Sequence, residues 1–112
     1  LVFTRPDCPY CARAKRDYLE PLSVSDDYGA KVVMREIDTP NERIALRGFD
    51  GVMTTHREFA RKYGVRMVPT VIVVDSRGTQ LADPVVGLNS ADFYALYIEQ
   101  AIDTARGQLR SR

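Results

Sequence analysis

Cys8 and Cys11 are the only two cysteines in the 112-residue chain, and just Pro9 and Tyr10 separate them. A disulfide across so short a loop removes little entropy from the unfolded chain, so the pair is a poor structural staple. A secreted disulfide scaffold would use more cysteines and spread them out. The spacing suits thiol–disulfide exchange: once a mixed disulfide forms on one sulfur, the other is within reach to resolve it. Pro9 fits the first turn of a helix, where its missing N–H removes no bond. A helix start offers unpaired N–H groups and the positive end of the helix dipole, and both favour a thiolate. On this reading Cys8 is the nucleophile, left at the surface, and Cys11 is the resolving thiol, buried one turn in. Arg5 supports the thiolate and Asp7 opposes it.

Two other uses of the pair stay open. Zinc takes four ligands, and the chain adds no further cysteine and one histidine, His56, on a different helix. A metal or iron–sulfur cluster would therefore have to bridge two chains in a dimer. Alternatively, both cysteines are inert packing residues.

The elements that must position the pair follow from pattern. Leu1-Val2-Phe3-Thr4 reads as a buried strand ending in a turn at Arg5-Pro6-Asp7. In the helix that follows, Cys11, Ala14, Tyr18 and Leu22 recur at helical spacing and face the core, and Pro21 bends or ends it. A loop over residues 23–29 leads to a second strand over residues 31–37. A short helix is expected over residues 41–47. Thr55-His56-Arg57-Glu58 fits a capping box opening a helix to Tyr63, stopped by Gly64. Residues 70–74 form a fully buried strand, and Asp75-Ser76-Arg77-Gly78 turns into a strand over residues 79–86. Ser90 caps a last helix whose stripe is Phe93, Tyr94, Tyr97, Ile98, Ala101, Ile102 and Ala105. Residues 107–112 read as a frayed tail. In a sheet of this order the site lies beyond the carboxyl ends of the parallel strands, directly after the first one.

Sixteen Lys and Arg against fifteen Asp and Glu leave a formal charge of +1. That balance gives no electrostatic reason to expect nucleic acid as partner, and no apolar run is long enough to embed the chain in a membrane. No signal peptide is visible, yet the chain opens on Leu1 rather than Met, which points to something upstream that was processed or trimmed. A second feature, Met67-Val68-Pro69-Thr70, places a proline at the first position of the central strand, where only one ladder donor is lost.

Cys8-Pro9-Tyr10-Cys11 together with Val68-Pro69-Thr70 resembles the thioredoxin superfamily, and the Cys-Pro-Tyr-Cys version, with Arg5 three residues before it, is similar to glutaredoxins. The resemblance implies one α/β domain over residues 1–112, a thioredoxin fold with a mixed four-stranded sheet flanked by helices on both faces. It implies a cis Val68–Pro69 bond, Cys8 and Cys11 as catalytic pair, and substrate contacts at Val68, Pro69, Tyr10, Arg5 and Gly87. It implies no metal and no cofactor beyond the redox-active disulfide, with glutathione as an optional co-substrate. Glutaredoxins follow the hairpin with Gly-Gly and then a Ser/Thr-Asp pair for the glutathione carboxylate. Here the stretch is Gly87-Leu88-Asn89-Ser90-Ala91-Asp92, so weakened glutathione use is expected.

Residues 39–54 and the Asp75–Gly78 turn are more similar to exported bacterial thioredoxins, among them the periplasmic thioredoxins of the sulfur-oxidation (Sox) system. That likeness implies a periplasmic monomer that reduces a disulfide or mixed disulfide on a partner protein with a reactive cysteine, served by an upstream electron donor. The alternatives are a cytoplasmic location, a glutathione-dependent glutaredoxin, or the cluster-binding dimer. Among the remaining residues, Glu36 is placed to accept a proton from Cys11 or to face water, and His56 reads as a solvated helix-start residue. Met34, Met53 and Met67 are core or groove packing.

Overall fold

The computed structural model describes residues 1–88 and 91–112. Neighbouring residues of the first strand serve two different cores. Phe3 packs with Ile37, Phe59, Ala60 and Ile72, whereas Val2 packs with Ala14, Leu19, Leu22, Ile98 and Ile102. The period of two in a strand sends successive side chains to opposite faces, so a core grows on each side of the sheet. β1 (Val2–Thr4) lies parallel to β2 (Glu36–Asp38), with Val2 opposite Glu36 and Thr4 opposite Asp38. On its other edge it runs antiparallel to a short strand at Thr70–Val71, which pairs antiparallel with Val85–Val86, making a mixed four-stranded sheet with β1 inside it.

The helix after β1 runs as α1 (Pro9–Ala14), a π-helical turn (Lys15–Leu19) and α2 (Glu20–Ser23). Pro21 neither ends nor sharply breaks it. Proline cannot donate to the carbonyl one turn back, and the wider π turn just ahead of it takes up that mismatch. α3 (His56–Lys62) begins as the capping box requires, with the Thr55 hydroxyl accepting from the Glu58 N–H at 3.2 Å, and Gly64 stops it with φ at 68°. The Glu58 carboxylate pairs with Arg61 instead of completing the box.

Several expectations need correction. The strand foreseen over residues 31–37 is confined to β2, while Val32 and Met34 pack against the core ahead of it. Residues 41–47 are not helical. The Asn41 side chain accepts from the N–H groups of Arg43 and Ile44, both at 2.9 Å, a local bond that competes with helix formation. The chain then forms β3 (Ala45–Arg47), antiparallel to β4 (Met53–Thr55). β5 is only Thr70–Val71 and β6 only Val85–Val86, joined farther out by a single bridge between Val74 and Gln80. Pro84, which cannot donate to a ladder, sits just before β6.

α4 (Tyr94–Arg110) buries Tyr94, Ile98, Ala101, Ile102 and Ala105, but Phe93 and Tyr97 are about half exposed, at 52 % and 45 %. The Ser90 cap lies outside the described residues. Nor is the end of the chain frayed: α4 continues to Arg110, and the Arg112 guanidinium reaches the Asp75 carboxylate at 2.8 Å. Asp75 also accepts from the N–H groups of Arg77 and Thr79. The backbone bond from Thr79, then Arg112, hold its carboxyl below the usual carboxylate range. Gly78, at φ 86°, closes this turn under the Tyr63 hydroxyl and the Phe49 ring. Tyr94, edge-on to Tyr18 at 5.2 Å, buries its hydroxyl with no hydrogen-bond partner among the described residues, and desolvation pushes that phenol up to about 12.

Candidate active site

Thr4 ends β1, and four residues later Cys8 caps the start of α1, so the pair sits beyond the carboxyl ends of β1 and β2. Cys8 and Cys11 form a disulfide with Cα atoms 5.2 Å apart. Cys8 is the N-cap of α1 in extended conformation, and its Sγ accepts from the Cys11 N–H at 3.1 Å. A sulfur thus takes the place that a Ser or Asp oxygen holds at an ordinary helix start. Pro9 stands at the first helical position. Cys11 is 1 % exposed and Cys8 7 %. Cys8 is the more accessible sulfur residue, but in the disulfide state it is covered rather than left at the surface. Tyr10, between them, is 63 % exposed.

Pro69 is fully buried, and the Val68–Pro69 peptide bond is cis. The Gly87 N–H, on a residue with φ 74°, donates to the Pro69 carbonyl at 2.7 Å, and the Thr70 hydroxyl donates to the Met67 carbonyl at 2.6 Å. Val68 and Arg5 line one cleft together with Thr39, Val65, Arg66 and Met67. Gly87 instead borders a separate groove between β6 and α4. The sequence reading singled out Arg5, Met67 and Val68 but missed Arg66 and Thr39. The available signal was Arg66, two places before Val68.

Glu36 does not stand free near the helix. Its carboxylate pairs with Lys15 at 2.7 Å and accepts from the Thr4 hydroxyl at 3.2 Å. Lys15 is one turn beyond Cys11, so this pair braces the flank of α1. His56 is not merely solvated: its Nδ1 accepts from the Asp38 N–H at 3.1 Å, tying the start of α3 to the end of β2. Among the described residues, no three His, Cys, Asp or Glu side chains gather as a metal site. No described helix is long and apolar enough to cross a membrane.

A mixed sheet with helices on both faces and a Cys-x-x-Cys disulfide at the start of the first helix is the arrangement of thioredoxin-like proteins. The thioredoxin-like domain model matches residues 1–102, and the chain belongs to that family. No curated protein and no solved structure matches it.

Proposed function

We propose that the chain is a protein thiol–disulfide oxidoreductase whose working groups are Cys8 and Cys11. The observation that carries this is the Cys8 sulfur serving as the N-cap of α1, bonded to the Cys11 N–H and one residue ahead of a proline. A thiolate at that position gains from the same N–H and from the helix dipole, which is what a nucleophilic cysteine needs. In the reductive direction, the Cys8 thiolate attacks one sulfur of a partner disulfide and the other partner sulfur leaves as thiolate. The Cys11 thiolate then attacks Cys8 Sγ, breaking the mixed disulfide. Two electrons and two protons pass from the dithiol to the partner, and an upstream dithiol donor restores the reduced pair.

The finer reading is a periplasmic monomer acting on a partner protein of bacterial sulfur oxidation. Its support is the likeness of residues 39–54 and of the Asp75–Gly78 turn to exported thioredoxins. Glutathione is a secondary co-substrate on this reading, because the Gly-Gly and acid pattern of glutaredoxins is broken at Leu88 and Ala91.

Trapping tests the roles. The Cys11→Ser variant should accumulate mixed disulfides on Cys8, read by mass spectrometry after incubation with disulfide-bearing protein extract, and Cys8→Ser should abolish reduction. Adducts on Cys11 in the Cys8→Ser variant, with none on Cys8 in the other, would reverse the assignment.

A further inference from the structure

Beside Val68 opens a cleft of about 250 Å³ whose walls are Arg5 and Thr39 on one side and Val65, Arg66, Met67 and Val68 on the other. Both guanidinium groups are exposed, and among the described residues neither has a carboxylate partner. Several cations on neighbouring elements are paired, Lys15 with Glu36, Arg57 with Glu42 and Arg61 with Glu58, which leaves Arg5 and Arg66 as the cations that line this cleft. Asp38, next to Thr39, does not line the cleft: one of its carboxylate oxygens accepts from Asn41 and the other is buried. The cleft therefore combines two planar cationic forks, a threonine hydroxyl and an apolar lining of Val65, Met67 and Val68. Such forks match a carboxylate in geometry as well as charge, and the volume suits a single side chain.

We propose that this cleft selects partner proteins carrying an acidic side chain a few residues from the cysteine that Cys8 attacks, with Arg66 as a specificity-determining residue. The proposal rests on the oxidoreductase reading and names its substrate class. A partner segment lying extended along Val68 advances about 3.3 Å per residue, so a carboxylate three or four residues from its cysteine lies roughly 10–13 Å away, the separation at which the proposal seats it on Arg66. Arg5 and Thr39 complete the seat from the β1 and β2 ends.

The test uses three peptides, amidated at the C-terminus, each with one disulfide and alike except for Glu, Gln or Lys at the flanking position. kcat/KM for their reduction by the dithiol form is measured at low and high salt. The Glu peptide should exceed the Gln peptide by roughly tenfold at low ionic strength, as expected for two partly exposed ion pairs, and the gap should close as salt is added. The Lys peptide should fall below both. Arg66→Gln should bring the Glu-to-Gln ratio toward one. Equal reduction of the Glu and Gln peptides by the parent protein would overturn the preference and leave the oxidoreductase reading standing. Failure to reduce any of the three would overturn that reading and the preference with it.

Discussion

Replacing Tyr94 by Phe deletes one oxygen and keeps the ring, its edge-on contact with Tyr18 and its place at the start of α4. The residue is 1 % exposed, and its hydroxyl has no partner among the described residues. In the unfolded chain water solvates that hydroxyl; in the fold no described group does. Protein mutational data put such a loss at roughly 1–3 kcal/mol. Tyr94→Phe should therefore stabilise the fold by about 1–2 kcal/mol at neutral pH, raising the melting temperature by roughly 4–8 °C for each kcal/mol. Alkali should widen the gap. The folded phenol is pushed from 10.0 up to about 12, so between those values the unfolded chain has released a proton that the folded one retains. The tyrosine protein loses stability as pH rises through this window, by up to about 2–3 kcal/mol, and the phenylalanine variant escapes that loss. Urea unfolding of both oxidised proteins, followed by circular dichroism at pH 7, 9, 10 and 11, gives the difference directly, because every other titration cancels. A variant less stable than its parent at pH 7 would refute the reasoning, as would a gap that stays constant to pH 11.

Gly78→Ala should destabilise by about 2–4 kcal/mol in denaturant unfolding, since a methyl group meets the Phe49 ring and the Tyr63 hydroxyl at a positive φ. Asp75→Asn should lower stability at neutral pH but converge on the parent in acid. The Asp75 pKa is depressed in the fold, so its contribution is present above the ordinary carboxylate range and lost as pH falls through the folded value; acid titration of both melting curves reads this. Glutathione as sole donor should support slower turnover than a dithiol donor, measured by steady-state reduction of one mixed disulfide under both.

Local signals carried the reading furthest where one residue type had one physical meaning. Pro9 marked the start of α1, Thr55 capped α3, Gly64 ended it and Asp75–Gly78 turned the chain, as the structure has them. Competing signals hid the rest. Ala45, Leu46 and Arg47 are good helix formers by propensity, yet the Asn41 side chain captures two N–H groups and β4 supplies a partner. Phe93 and Tyr97 fit the apolar stripe of α4 by type but face outward, because a single helix face is too narrow to bury all seven. The covering of Cys8 and the meeting of Arg5, Thr39 and Arg66 in one cleft depend on how distant segments pack, which no local pattern encodes.

Because the sulfur that caps α1 is also one half of the disulfide, the conformational equilibrium of the chain and the redox equilibrium of the pair share a thermodynamic cycle. Whatever the helix gains when its capping acceptor becomes a charged thiolate is a preference of the folded chain for the dithiol form over the disulfide. The same free energy appears, with opposite sign, as reluctance of the reduced protein to unfold. Each ~1.4 kcal/mol of such preference corresponds to about 30 mV for a two-electron couple. Lys15 and Glu36, bracing the flank of α1, enter this cycle to the extent that their pairing differs in strength between the dithiol and disulfide forms.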